Sequence, residues 1–334
     1  MMQSQPTCLI IGGGMTGLVA GTRLQQAGVN VTILDKGRGI GGRLATRRLP
    51  HPNGSEGQFD YGLQRFAVSD RRFGAWVEQW LEAGVIVPWP ATVGDSETPY
   101  YRGRLSNRSI AKHLAQGLTV QTQTRVAKLH WQNNLWLAQT LEHQTFTAQS
   151  LLLTLPVPQV LELLNSSAIT LPPELQTRLG AIVYDPCIAV LALLAGPSRI
   201  PAAGLACPDE PLAWLACNQK KGISAAPAVT IHATPTFSRT YWDAPEGDIA
   251  QHLFEAAAPW LDAAIADYDT HRWRYSQPET VYGDRALVLP APAPLVLAGD
   301  AFAPAVPAKA TLNLENAVLS GLAAAACLVK FFNG

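Results

Sequence analysis

Gly12-x-Gly14-x-x-Gly17, followed by Asp35 at the end of a second apolar run, is a residue pattern suited to the diphosphate of an adenine dinucleotide. Each position has a physical task. Gly12 permits the tight turn. Gly14 has no Cβ, so a diphosphate can approach the backbone. Gly17 lets the following helix pack close to the strand before it. The first helical turn, at Met15 and Thr16, offers free N–H groups and the positive end of the helix dipole. Asp35 lies where a carboxylate meets a ribose hydroxyl, and Lys36 follows it.

The next residues bear on which dinucleotide is bound. Gly37-Arg38-Gly39-Ile40-Gly41-Gly42-Arg43 is a second glycine-rich loop ending in an arginine. An NAD site does not usually need one. FAD does, because its diphosphate and ribityl chain run further along the fold. Gly42 allows close approach and Arg43 offers a planar charged fork. Near the other end, residues 295–298 read as a buried strand, followed by Gly299-Asp300. In FAD folds a Gly-Asp at such a strand end places the carboxylate on the ribityl hydroxyls. A helix read at 312–330 begins at Leu312 and aims its N-terminus at the pyrimidine end of the flavin.

These residues need a frame. Thr7–Ile11 reads as a buried parallel strand, Met15–Gln26 as a helix ended by Gly28, and 29–34 as a second strand. A helix at 109–116, a strand at 118–123 and a hairpin of 125–131 with 135–141 through Asn133-Asn134 follow. One apolar strand at 146–155 closes this section, giving a three-stranded antiparallel meander inserted in a parallel sheet. Val126 falls where the backbone would meet adenine. Further along, 72–83 reads as helix and 162–164 as part of a short one. Strands are read at 187–194, 213–217, 229–234 and 286–289, and helices at 248–258 and 260–267.

With 334 residues there is room for one large or two interleaved domains. Twenty-five basic residues balance 25 acidic ones, and only 15% of the chain is charged, which argues against nucleic-acid binding. The five cysteines form no CxxC pair and fit a reduced, cytoplasmic protein. No signal peptide is read before the first strand, and the apolar stretch 317–329 is too short to span a membrane. No HxxxH or cysteine metal set and no GxSxG elbow is present. Composition leaves the oligomeric state open.

Ile11 to Gly17, Asp35 to Arg43 and Thr46-Arg47-Arg48 together resemble the renalase family, compact members of the flavin amine oxidase superfamily. Phe59-Asp60-Tyr61-Gly62-Leu63-Gln64-Arg65-Phe66 is similar to that family's segment lining the flavin, so Gly62 and Leu63 join the cofactor set. His232-Ala233-Thr234-Pro235, Trp273-Arg274-Tyr275, Gly299 to Phe302 and Glu315 to Gly321 match in order. Leu63, Arg65 and the stretch 303–310 depart from the family pattern, which alters the loop under the pyrimidine ring.

The resemblance implies an α/β fold: a Rossmann-type FAD-binding domain (GR2/p-hydroxybenzoate hydroxylase-like) with a mixed-sheet α+β substrate domain. Residues 1–66, 104–168 and 290–334 would form the first, and 67–103 and 169–289 the second. It also implies noncovalent FAD and oxidation of dihydronicotinamide isomers (2- and 6-dihydro-NAD(P)), with O2 reoxidising the flavin to give hydrogen peroxide. A dihydropyridine gives up hydride without a protein base, so few titratable catalytic groups are required. The substrate-side candidates are Gln64, as a hydrogen-bond partner for the flavin edge or a carboxamide, His232, and the aromatic residues Tyr61, Trp214 and Trp273. Lys309 could approach the flavin's pyrimidine end. Two other readings share these motifs: a flavin oxidase acting on a small amine, and a protein that binds flavin without turnover.

Overall fold

Thr7–Ile11 lies inside a six-stranded sheet because almost every residue in it is apolar and both of its faces are covered. It pairs in parallel with Asn30–Leu34 on one side and Ser150–Leu153 on the other. Thr119–Gln121 and Leu295–Leu297 extend the sheet in parallel, and Leu287–Leu289 adds an antiparallel edge. The computed structural model describes residues 5–90, 99–207, 209–304 and 314–333. The helix Met15–Gln26 follows the first glycine turn over the residues the sequence predicts, and Gly28 leaves it in the left-handed conformation at φ 82°.

The C-terminal helix Leu314–Asn333 packs on the first helix at backbone distance. A Cβ on Gly321 would come within 2.6 Å of the Thr16 carbonyl oxygen. This helix is longer than the apolar stretch read from the sequence, and by length and composition alone it could cross a membrane. Its apolarity has another use here. Val318, Leu319, Ala324 and Leu328 are buried, and Glu315 is buried as the acceptor for Ser69 and Asp70.

The meander is present as Val126–Gln132, Leu135–Thr140 and Thr145–Ala148. Asn133 and Asn134 turn its hairpin at φ 51° and 59°, as a two-residue turn requires. The single strand expected at 146–155 is two strands in different sheets. The break falls at Gln149, whose side chain accepts from the Thr7 N–H while its own N–H donates to Thr7 Oγ1.

A second sheet, in the order Leu205–Ala206, Leu212–Cys217, Ala228–Ala233, Tyr184–Leu194, Ile265–Pro278, is antiparallel throughout, not mixed. The helix expected at 260–267 is also corrected. One helix, Glu246–Leu261, runs through Pro259 and stops at Asp262 with φ 55°. Ile265 already pairs with Leu194, opening the 14-residue strand Ile265–Pro278. That strand has a polar, half-exposed face, so its residues carry no apolar run. Leu287–Leu289 belongs with the six-stranded sheet, so the division of the chain we propose moves its last boundary back to include that strand.

Between the two sheets lies the hairpin Thr46–Pro50 with Glu56–Asp60. Gly57 has no side chain because Leu193 of the second sheet stands 2.2 Å from where its Cβ would be. Phe59 is fully buried among Leu191, Leu193, Ala226 and Ala228. Asp60 ends this hairpin in the interior, with Lys221 Nζ 2.7 Å from its Oδ2 and both side chains out of solvent.

Candidate active site

A cavity of about 1080 Å³ opens between the sheets. It exceeds the roughly 300–1,000 Å³ of an ordinary small-molecule site. Its floor is built by the two glycine loops laid against each other. The Gly41 N–H donates to the Gly13 carbonyl at 2.8 Å, and Gly14 bridges to Gly41 in parallel. Asp35 clips both loops, accepting from the Gly13 and Gly37 N–H groups at 2.6 Å each.

The glycines divide by task. A Cβ on Gly17 would stand 2.1 Å from the Gly12 carbonyl oxygen, so Gly17 serves packing and does not line the cavity. A Cβ on Gly14 would meet nothing within 4 Å. Gly14 caps the first helix with no side chain over its end and no acidic residue in the first turn. An open cradle under unpartnered helix N–H groups fits a diphosphate. The lining side chains agree, with seven basic groups against Asp35, Glu162 and Asp300. Met15, Thr16, Lys36, Gly42, Leu63, Val126 and Gly299 also line it. Leu312 and Lys309 lie outside the described residues.

Arg43 and Asp300 both line the cavity, but each is already engaged with the other. Two parallel contacts of 2.6 Å join guanidinium and carboxylate, and Arg43 also donates to the Ser276 carbonyl at 2.9 Å. The remaining lone pairs of Asp300 are what a ribityl hydroxyl could use. Gly62 does not line the cavity. Its missing Cβ would sit 2.1 Å from the Arg43 carbonyl oxygen, so it lets two backbone segments cross.

The substrate-side candidates separate in space. Tyr61 and Trp273 line the cavity with rings stacked at 5.1 Å and 23°, and His271, which the sequence reading missed, meets both edge-on at 4.9 and 4.4 Å. Asp269, His271, Trp273 and Tyr275 alternate along Ile265–Pro278; reading that stretch as a strand would have found His271. Gln64, Trp214 and His232 are not lining residues of this cavity. The Trp214 ring covers Gly204 and stacks on the Arg65 guanidinium at 4.9 Å. Gln64 Nε2 donates to the Asp60 and Gly62 carbonyls, leaving its buried Oε1 without a partner.

His232 and Trp273 meet at one atom. The Tyr61 carbonyl accepts from Trp273 Nε1 at 2.9 Å and lies 3.0 Å from His232 Nε2. Burial is the largest cause drawing the His232 imidazole down to a pKa of about 4, with the nearby Lys221 charge adding to it. A neutral ring with Nε2–H donating to Tyr61 follows. Lys221, also missed, sits in Asn218-Gln219-Lys220-Lys221, which reads as a solvated turn and carries no sequence signal of burial.

Two outcomes are expected. Gly14→Ala keeps an allowed φ of −77° and open space, so its melting temperature should stay within about 2 °C of the parent while FAD affinity falls at least about ten-fold. Fluorimetric titration with FAD measures the second. His232 has a folded pKa near 4 against an ordinary 6.5, so the unfolded chain binds the extra proton. Stability should therefore drop as pH falls from about 6.5 to about 4, by up to roughly 3 kcal/mol from this group. His232→Gln, which keeps a donor for Tyr61, should lose less over that window in urea unfolding curves.

Residues 10–80 match an NAD(P)-binding Rossmann-like domain, and residues 76–329 match flavin containing amine oxidoreductase. Renalase of Mus musculus is 24% identical over 321 residues, covering 88% of this chain and 92% of that protein. A solved structure from Exiguobacterium sp. 255-15, assigned as a protoporphyrinogen oxidase, superimposes with a TM-score of 0.75 at 12% identity. It covers 99% of this chain and all of its own, and shows the shared fold alone. The cofactor is FAD, and the chain is an oxidoreductase belonging to the flavin containing amine oxidoreductase family, similar to renalase.

Proposed function

We propose that this protein oxidises dihydronicotinamide isomers, 2- or 6-dihydro-NAD(P), to the aromatic dinucleotide, with O2 as the final acceptor and hydrogen peroxide as product. The observation that carries this reading is the charge of the cavity. Its basic side chains outnumber its carboxylates by seven to three. The diphosphate of FAD brings roughly one negative charge per phosphate. A positive surplus is left over, which attracts a second phosphorylated ligand and repels a protonated amine.

Acid–base groups point the same way. His271 is the one histidine among the described lining residues, and burial draws its pKa below the ordinary value, with Arg47 adding to the effect. His232 is held neutral against a backbone carbonyl, away from the cavity lining. Asp300 is locked to Arg43, and Asp35 to two backbone amides. FAD, when bound, supplies the hydride acceptor and hands the electrons to O2. The chain's own share is to hold a planar ring. Tyr61 and Trp273 offer a flat stacked pair, His271 braces it edge-on, and Leu63 adds an apolar group to the lining. The reaction as proposed releases a ring made aromatic by losing hydride, so no protein group need take a proton from carbon. We place Gly14, Met15, Thr16 and the second glycine loop on the cofactor diphosphate, and Tyr61, Trp273 and His271 on the substrate side. We also propose a cytoplasmic location, since the five cysteines are all free thiols.

Anaerobic stopped-flow mixing tests the reading. The visible flavin absorbance should bleach rapidly with 2- or 6-dihydro-NAD(P) and not with simple monoamines, and air should restore it with one hydrogen peroxide per turnover. Bleaching by a monoamine and none by the nicotinamide isomers would replace this reading with an amine oxidase. Bleaching by neither would leave a flavin-binding protein without this turnover.

A further inference from the structure

The geometry points to Arg108 as an anion anchor of this cavity, taking a phosphate oxygen of a bound dinucleotide. The inference rests on the cavity's reading as a dinucleotide site. Arg108 is not part of the glycine motifs, and its place comes from the fold. The helix Arg108–Leu114 packs under the second glycine loop, where a Cβ on Gly41 would stand 3.0 Å from Ala111 Cβ. The Arg108 guanidinium lies against that loop: a Cβ on Gly39 would fall 2.0 Å from its Nη2. From there the side chain lines the cavity.

Its partners are what set it apart. Among the described residues the Arg108 side chain makes no hydrogen bond and no ion pair, and its Nε is buried without an acceptor. Of the other basic lining residues, Arg38, Arg125 and Arg274 are exposed to water, and the remaining three are engaged. Arg43 holds Asp300 in two contacts, Arg272 holds Glu246 and two carbonyls, and Lys36 holds Gln159. A guanidinium with an N–H out of water and no acceptor is costly, and costs of this kind gather at sites that receive a ligand. The planar fork suits phosphate oxygens. The position is also rigid. The Asn107 N–H donates to the Asp60 carboxylate at 3.1 Å, and Asn107 Nδ2 donates to the Leu63 carbonyl at 2.5 Å. Arg108 is thus presented by the same network that holds the segment carrying Tyr61.

Two molecules could bring that phosphate: FAD itself, or the dinucleotide substrate. R108M and R108K are compared with the parent as holoproteins, by FAD dissociation measured from released flavin fluorescence over a salt series. KM is measured in parallel for a reduced nicotinamide dinucleotide and for reduced nicotinamide riboside, which has no phosphate. An FAD dissociation constant raised at least ten-fold in R108M, with R108K between and a shallower salt dependence, assigns the anchor to the cofactor. An unchanged FAD constant, with KM raised at least ten-fold for the dinucleotide and unchanged for the riboside, assigns it to the substrate. Folded R108M that matches the parent within two-fold in both quantities overturns the proposal and leaves the cavity reading intact. A parent that binds no FAD overturns the cavity reading as well. Should R108M fail to melt cooperatively, R108K, which keeps the charge and loses the fork, carries the same comparison, and a match to the parent overturns the proposal.

Discussion

One ion pair with no access to water ties this molecule together. Asp60 and Lys221 meet at 2.7 Å with both side chains buried, and each makes further bonds. Asp60 Oδ1 accepts from Thr46 Oγ1 at 2.7 Å and from the Asn107 N–H, while Lys221 Nζ also donates to the Gln64 carbonyl and sits over the Trp89 ring at 5.2 Å. Burial pulls the Lys221 pKa down, and the Asp60 carboxylate works against that pull. A pair in this setting adds little net stability over an apolar replacement, yet either partner left alone is a charge in the interior. What it secures is position. Thr46 and Asp60 belong to the hairpin behind the cofactor loops, Asn107 to the helix beneath them, and Lys221 to a turn of the antiparallel sheet.

The cavity inherits its shape from that junction. Residues 60–64 leave Asp60 under several restraints: Asn218 on the Asp60 N–H, His232 and Trp273 on the Tyr61 carbonyl, Arg43 against Gly62, and Asn107 on Leu63 and Gln64. Tyr61 then faces Trp273 as a fixed wall of the cavity, whose glycine loops leave the space over Gly14 open. His232 contributes through the Tyr61 carbonyl rather than through its own basicity. The chain in this way spends its polar groups on holding a flat wall and a positive floor, and leaves the electron chemistry to the flavin.

Much of the nucleotide half was legible. Glycine spacing, apolar strands and the Asn133-Asn134 turn are local signals, and their physics is local too. The Gly299-Asp300 strand end was legible for the same reason. Other features depended on partners far away in the chain. Lys221 looks like a surface lysine until the fold buries it against Asp60. Gly62 looks like a ligand-approach glycine, but the Arg43 backbone is what it makes room for. His232 carries a familial word and Trp214 has the ring a pocket wall would use, while their side chains meet the Tyr61 carbonyl and, for Trp214, Arg65 and Gly204. The strand Ile265–Pro278 escaped because one of its faces stays half exposed, and with it went the alternation that places His271 beside Trp273. Arg108 escaped because its significance lies in what surrounds it.

Asp60 and Lys221 hold this junction as a matched pair. Equilibrium urea unfolding of Lys221→Met beside the double variant Asp60→Asn with Lys221→Met tests it most directly. The single variant should lose about 3–5 kcal/mol, because it strands a buried carboxylate, and the double variant should regain a substantial part of that loss. A single variant within about 0.5 kcal/mol of the parent, or a double variant that loses the sum of two independent effects, would contradict it.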